Sequence, residues 1–195
     1  MKIIGPAGQL ECDFVKSSAL EKQSIAVLCH PHPLYGGSMH DVVLGITSTT
    51  LSQSGVANVK FNFRGVGSSD GVHDDGEGEC EDLISIVTHI RKEEPDKEIW
   101  TIGYSFGAHI VWKSLSTTSP EKALLIAPPN RHMKFDPHPM AERVSVIAGS
   151  KDEFVTTKDL KSLHCKSVDI LEGGDHFLSG SRESLSRAIS SFITS

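Results

Sequence analysis

The chain has 195 residues, of which 38% are hydrophobic and 23% are charged. This length supports one sizeable hydrophobic core but not two, so we expect a single domain over residues 1–195. A formal net charge of −6 and the absence of any basic cluster argue against nucleic acid or an anionic membrane surface as the main partner. No apolar run has the length of a membrane span or the form of a signal peptide, and we therefore expect a cytoplasmic protein.

The four cysteines, Cys12, Cys29, Cys80 and Cys165, are far apart in the chain and form no Cys-x-x-Cys pair. In a cytoplasmic setting this pattern predicts reduced, mostly buried thiols and not a disulfide framework. The sequence is compatible with a monomer or a homodimer.

Segments with the apolar pattern of strands alternate with segments of helical periodicity, which predicts an α/β fold: a mostly parallel sheet with helices on both faces. The predicted strands are residues 9–15 (an antiparallel strand or hairpin), 24–29, 56–63, 98–102, 123–127, 144–148 and 168–171. The predicted helices are residues 42–51, 80–90, one starting at 108, a short one near 156, and 185–192. Residues 128–142 contain four prolines, so we expect no helical lid domain there.

Residues 103–107 read Gly-Tyr-Ser-Phe-Gly and lie between a predicted strand and a predicted helix. The pattern Gly-x-Ser-x-Gly in this setting is typical of a sharp turn that exposes a strained serine above the edge of a sheet. Glycines at its first and last positions would let the strand and the helix approach without a clash of Cβ atoms. Ser105 is therefore the candidate nucleophile.

A serine nucleophile needs a base within hydrogen-bond reach, and the base needs an acid to orient it. Asp152 follows the penultimate predicted strand and His176 follows the last one, so both are expected at the same sheet edge as Ser105. The order Ser, Asp, His is the order expected for this architecture. Glu153 and Asp175 remain alternative acids, and Asp152 has the alternative role of capping the short helix that follows it.

Acyl transfer places negative charge on a carbonyl oxygen, which two backbone N–H groups can stabilise. One predicted donor is the Phe106 amide, directly after the nucleophile at a helix N-terminus. The other should come from the loop after the strand at 24–29, which reads His-Pro-His-Pro-Leu-Tyr-Gly-Gly. Its prolines have no N–H, which leaves His32, Leu34 and Tyr35. We favour Leu34, because the prolines would stiffen its approach.

Two other motifs suggest different chemistry. His30 and His32 have the two-residue spacing of some metal sites, but no carboxylate follows at a suitable spacing and the prolines restrict the ligand geometry, so no metal is expected. Residues 61–71, Phe-Asn-Phe-Arg-Gly-Val-Gly-Ser-Ser-Asp-Gly, contain a Gly-x-Gly without the lysine of a phosphate-binding loop. We expect a structural turn there, with Arg64 paired to a nearby carboxylate.

Six stretches of the chain carry a family resemblance: HPHPLYGGSMHD (30–41), FNFRGVGSSDG (61–71), GYSFGA (103–108), IAPP (126–129), GSKDEFV (149–155) and GGDHF (173–177). Together they resemble the α/β-hydrolase superfamily, in particular the small lidless hydrolases related to dienelactone hydrolases. The resemblance implies a central, mostly parallel sheet flanked by helices, with Ser105, Asp152 and His176 as the catalytic triad. True dienelactone hydrolases have cysteine as the nucleophile, so the serine of this chain argues against a dienelactone substrate.

The sequence therefore predicts a serine hydrolase that cleaves carboxylic esters with short or accessible acyl groups through an acyl-enzyme. A thioesterase, a peptidase or amidase with the same triad, and a binding protein with an idle triad are the alternatives. The expected partner is a small-molecule ester, with no cofactor, no nucleic acid and no membrane. Without a lid the site should be open to solvent, and its candidate pocket residues are Tyr35, Tyr104 and His32.

Overall fold

The computed structural model describes residues 2–17 and 23–195. Its strands are β1 (Lys2–Gly5), β2 (Gly8–Val15), β3 (Ser24–Cys29), β4 (Ala57–Phe61), β5 (Glu98–Tyr104), β6 (Lys122–Ile126), β7 (Val144–Gly149) and β8 (Ser167–Leu171). They form one eight-stranded sheet in the order β1-β2-β4-β3-β5-β6-β7-β8. β1 and β2 are an antiparallel hairpin at one edge, and β3 to β8 are parallel to one another. The sheet is thus mostly parallel, as the alternation of elements predicted.

Helices cover both faces of this sheet. They are α1 (Val42–Gln53), α2 (Glu77–Glu93), α3 (Phe106–Thr118), α4 (Thr157–Ser162) and α5 (Arg182–Thr194), with single 3-10 turns at Pro33–Tyr35 and Ala141–Arg143. α1 packs with α5 over one face, and α2 packs with α3 over the other. The hydrophobic core therefore consists of two apolar layers, one on each side of the strands.

The burial of the central strands explains why their apolar sequence pattern predicted them. β3 is buried at all of its positions, and β5, β6 and β7 are buried at nearly all of theirs, as expected for strands that are covered on both faces. β4 is shorter than predicted and ends at Phe61. The next two residues also hold a loop. The Asn62 N–H still donates to the Glu11 carbonyl of β2 at 2.9 Å, but its side chain accepts the Met39 N–H at 2.8 Å, and the Phe63 N–H donates to the His30 ring at 3.1 Å.

The carboxyl ends of the parallel strands meet at one edge, and the loops that follow β3, β5, β7 and β8 carry the predicted site residues. The segment from residue 127 to the 3-10 turn at Ala141–Arg143 contains no helix, so in the described part of the chain no helical lid covers this edge. Within residues 2–17 and 23–195, no helix has both the length and the apolar character needed to cross a membrane.

Candidate active site

Ser105 sits in the sharp turn that the glycine pattern predicted. β5 ends at Tyr104, α3 begins at Phe106, and Ser105 between them has φ 53° and ψ −116°, a region that non-glycine residues rarely occupy. A Cβ atom at Gly103 would collide with the backbone of Gly107, and one at Gly107 would collide with the carbonyl of the last residue of β3. Both glycines are therefore required by the close approach of β5, α3 and β3, and the turn stores backbone strain at the serine.

The structure brings together the three side chains that the sequence proposed as a triad. Ser105 Oγ lies 2.9 Å from His176 Nε2, and His176 Nδ1 lies 2.9 and 3.0 Å from the two carboxylate oxygens of Asp152. The Asp152 side chain has no exposed surface and that of His176 is 10% exposed. A proton on Nδ1 that is donated to Asp152 leaves Nε2 as an acceptor for the serine hydroxyl, which is the tautomer that a general base needs.

The alternative acids occupy other positions. Glu153 is exposed, and the Asp175 carboxylate accepts the Ser179 N–H at 2.8 Å. Asp152 does not cap α4, which has no side-chain hydrogen bond at its N-cap. Its second bond is instead to the N–H of Phe154 at 2.8 Å, which fixes the carboxylate in the turn after β7. Asp152 is therefore the carboxylate that orients the His176 ring.

Tyr104 is placed differently from the prediction, which gave it a wall of the substrate pocket. It is 3% exposed, and its hydroxyl donates to the carbonyl of His176 at 3.2 Å. Burial raises its pKa above the ordinary value, so the hydroxyl keeps its proton and remains a donor. Tyr104 is the last residue of a strand that is covered on both faces, and its hydrogen bond holds the loop that carries His176.

The amides near the serine favour a different second oxyanion donor from the one predicted. The Leu34 N–H donates to the ring Nδ1 of His32 at 3.3 Å, and the Tyr35 N–H donates to the carbonyl of His32 at 3.1 Å. Within the described residues, the amides of His32 and Phe106 have no acceptor. These two N–H groups thus remain without a protein acceptor in the described chain, whereas the Leu34 N–H has one.

His30 fixes the loop that carries His32. Its Nδ1 lies 2.6 Å from the carbonyl of Pro31, and its Nε2 accepts the Phe63 N–H at 3.1 Å. Burial lowers the pKa of His30 to about 4, so the ring is neutral at physiological pH. Because both ring nitrogens have backbone partners, the His30 ring holds the shape of this loop.

His73 and Glu79, which lie next to the His32 ring and to each other, were not found from the sequence. The His32 ring packs against Phe106 at 4.8 Å, Tyr35 at 4.8 Å and His73 at 5.0 Å between ring centroids. His73 Nδ1 lies 2.8 Å from Oε1 of the buried Glu79. Burial would raise the pKa of Glu79, but hydrogen bonds from the backbone and from His73 lower it below its ordinary value. The only sequence signal was the Gly-Glu-Gly-Glu start of α2.

Two phenylalanine rings pack against the His176 ring. The ring of Phe154 lies 4.4 Å from that of His176, and the ring of Phe177 lies 5.6 Å from it. Both phenylalanines remain exposed, Phe154 by 38% and Phe177 by 67%. Their positions next to the predicted acid and base were visible in the sequence, but the direction of their rings was not.

Arg64 has the structural role that was predicted. Its guanidinium donates to both oxygens of Asp82, with distances of 2.8 to 3.1 Å, and to Glu81 at 3.2 Å. Its backbone N–H also donates to Asp82 at 2.9 Å. The glycine-rich turn after β4 is thereby tied to α2.

A mostly parallel eight-stranded sheet with a serine at the sharp turn after a central strand defines the class of α/β hydrolases. Residues 22–166 match the Hydrolase_4 family, described as serine aminopeptidase, S33, and the chain belongs to this family. A relative from Rickettsia prowazekii, named uncharacterized protein RP471, is 33% identical over 208 residues that cover 97% of this chain and 86% of that protein.

Solved structures agree with this assignment. XC6422 from Xanthomonas campestris, described as an α/β serine hydrolase without a lid, superimposes with a TM-score of 0.94 at 29% identity, over 100% of this chain and 92% of that one. An α/β serine hydrolase homologue from Coxiella burnetii has a TM-score of 0.89 at 31% identity, over 97% of this chain and 94% of that one. The similarity to small lidless α/β serine hydrolases is confirmed.

Proposed function

We propose that this protein is a serine hydrolase that cleaves carboxylic esters with short or accessible acyl groups. The observation that carries the proposal is the continuous hydrogen-bonded path from Ser105 Oγ through the His176 ring to Asp152, with both steps near 2.9 Å. It begins at a serine whose backbone is strained by the turn, and membership of a serine hydrolase family supports it.

In this mechanism His176 Nε2 takes the hydroxyl proton as Ser105 Oγ bonds to the carbonyl carbon of the ester. The buried Asp152 carboxylate stabilises the imidazolium that forms. The tetrahedral intermediate then collapses, the bond to the alcohol oxygen breaks, and His176 returns the proton to the departing alcohol. Water, activated by the same histidine, attacks the acyl-enzyme and releases the acid, so the cycle closes with water as the only second reactant.

We assign the oxyanion hole to the Phe106 and His32 amides. Both lack a protein acceptor in the described chain, whereas the previously favoured Leu34 amide is bonded to the His32 ring. The Phe106 N–H also lies at the start of α3, where the helix dipole favours negative charge. Preformed donors of this kind typically contribute a few kcal/mol each to stabilising the transition state.

Ester hydrolysis is the first choice among the activities that share this machinery. An alcohol is a better leaving group than an amine, so an ester makes a smaller demand than an amide on His176, which protonates the leaving group. The family description as an aminopeptidase favours one second candidate, hydrolysis of an amide or peptide bond. It uses the same three side chains and differs in the leaving group that His176 protonates.

Fluorophosphonate labelling followed by mass spectrometry tests the nucleophile, and we expect a single adduct at Ser105 that Ser105→Ala abolishes. A panel of acetate esters, acetyl thioesters and aminoacyl amides then ranks the substrates, with esters expected to have the highest kcat/KM. Folded protein that never reacts with the probe would exclude the hydrolase proposal. A higher kcat/KM on the amides would replace the ester by the peptidase activity.

A further inference from the structure

The large exposed hydrophobic side chains of the protein are concentrated at the edge of the sheet that carries Ser105. Among the described residues eight such side chains are exposed. Two lie on the hairpin at the far edge, Ile4 and Phe14, with exposures of 72% and 39%. The other six lie in the loops and the helix start that follow β3, β4, β7 and β8: Leu34, Tyr35, Val42, Val72, Phe154 and Phe177. Apolar surface that is gathered in this way usually marks a binding site.

Two of these residues are fixed beside the groups that would move the proton. The Phe154 ring lies 4.4 Å from the His176 ring, and its own backbone N–H donates to Asp152. Phe177 follows His176 directly, and the two rings meet edge to face at 5.6 Å. The two phenylalanines thus present an exposed aromatic surface on the outer side of the histidine.

The proposed reaction determines which part of the substrate meets this surface. The carbonyl oxygen must point to the Phe106 and His32 amides, and the departing oxygen must lie within hydrogen-bond reach of His176 Nε2, which returns its proton. The group attached to the departing oxygen therefore leaves the reacting centre on the side of His176. We propose that Phe154 and Phe177 form a leaving-group subsite for a bulky apolar alcohol, such as an arylalkyl alcohol.

This inference rests on the proposed esterase function and narrows its substrate to esters of bulky apolar alcohols with small acyl groups. A phenyl ring that leaves water to pack on two exposed phenylalanines gains binding that a short alkyl group cannot obtain. The subsite lies outside the bond-breaking centre, so its effect should appear as selectivity between alcohols.

Ethyl acetate and 3-phenylpropyl acetate provide the comparison, because the two alcohols have similar acidity and the acyl group is the same. We expect kcat/KM for the phenylpropyl ester to be higher by about tenfold or more, the size expected for one additional buried ring. Phe177→Ala and Phe154→Ala should each reduce this selectivity ratio at least about threefold, since each removes one ring of the subsite. Ile4→Ala is the matched control, since Ile4 is equally exposed but lies on β1, and it should leave the ratio unchanged.

Ethyl 4-phenylbutanoate places the ring on the acyl side and tests the assignment of sides. If kcat/KM for this ester exceeded that for ethyl acetate as much as kcat/KM for 3-phenylpropyl acetate does, the leaving-group subsite would be overturned. A ratio near one between kcat/KM for 3-phenylpropyl acetate and for ethyl acetate in the unmodified protein would also overturn it. Sedimentation that shows a dimer, dissociated by Phe177→Asp, would also overturn it by showing a second copy on this surface. Labelling at Ser105 with normal ethyl acetate hydrolysis but no selectivity rejects this inference alone. Absence of labelling and hydrolysis rejects the proposed function together with it.

Discussion

The backbone amide and the ring of His32 have different roles: the amide is a proposed oxyanion donor, and the ring forms contacts within its loop. The ring accepts the Leu34 N–H and packs on Phe106, and the amide of the same residue remains without an acceptor in the described chain. The Leu34 N–H therefore helps to shape the loop, and the His32 N–H remains available for the proposed oxyanion hole. Loss of the ring and loss of the amide N–H should therefore have different effects on activity.

His32→Pro and His32→Ala separate these effects. The φ angle of His32 is −56°, which proline adopts without strain, so the proline variant removes the N–H and the ring while the alanine variant removes the ring alone. We expect kcat on an acetate ester to be lower in the proline variant than in the alanine variant by about 100-fold, the usual loss for one oxyanion donor. Steady-state kinetics measures this difference, with circular dichroism as the check on folding. Equal kcat values would remove His32 from the oxyanion hole.

The positions of Ser105, Asp152 and His176 at one edge of the sheet could be predicted, because each follows a predicted strand. The roles of Leu34 and Tyr104 could not, for physical reasons that differ. The Leu34 amide is taken by a side-chain acceptor two residues earlier, which depends on the rotamer of His32. Tyr104 ends a strand with both faces covered, so an aromatic residue beside the serine can be core as easily as pocket.

At the scale of elements, the turn after β4 is joined to α2 by a buried ion pair. Arg64 is 7% exposed, Asp82 is fully buried, and the two make a bidentate contact with Oδ distances of 2.8 to 3.1 Å. Charges of this kind depend on each other, because either one left alone inside the protein is not solvated.

A double-mutant cycle on this pair has a definite expected result. Asp82→Asn should lower the free energy of unfolding by about 3 kcal/mol, because it removes the buried carboxylate and leaves the Arg64 charge with exposed carboxylates such as Glu81 as its only ionic partners in the described chain. The double variant Arg64→Gln with Asp82→Asn should lose less than the sum of the two single losses, since no buried charge remains. Urea unfolding measures all three values.

Asp136→Asn is the control for this cycle. It breaks an exposed pair with Lys134 at 3.0 Å, in which both side chains are mostly solvated. We expect a change below about 1 kcal/mol, as is usual for surface ion pairs. A loss for Asp82→Asn that is no larger than this would contradict a structural role for the buried pair.

The order of elements and the parallel sheet were also predictable, because continuous apolar runs and helical periodicity are properties of local sequence. The early end of β4 was not. Phe63, its last predicted residue, is apolar enough for a strand, but its N–H donates to the His30 ring, and the Asn62 side chain accepts the Met39 N–H from the loop after β3. Such contacts join residues that are more than twenty positions apart, so a local sequence pattern cannot predict them.

At the scale of the whole molecule, the buried His30 couples folding to pH. Burial lowers its pKa to about 4 in the folded state, whereas the ordinary value is 6.5. The unfolded chain therefore binds more protons than the folded chain between these values, and stability falls as the pH is lowered through this window. From His30 alone, the free energy of unfolding should be about 2 kcal/mol smaller at pH 5 than at pH 7.

Urea unfolding at pH 7, 6 and 5 measures this loss, and the NMR titration of the His30 ring protons locates its source. We expect the His30 resonances of the folded protein to stay in the neutral position down to pH 5. Titration of that ring near its ordinary pKa would contradict the burial that holds the loop after β3 in place.

The chain order of the site has a consequence for how the protein acquires activity. The candidate nucleophile and the proposed oxyanion amides directly follow β3 and β5 in the middle of the sheet, but the histidine follows β8, which is the edge strand opposite the hairpin. β8 is only partly covered, and its positions are half-buried or exposed apart from its last residue. An edge strand of this kind opens more readily than the central strands. Detachment of β8 would separate the base from the serine while the nucleophile turn stays intact. In the proposed mechanism Ser105 would therefore lack its base until β8 has paired with the sheet, during synthesis as well as after detachment.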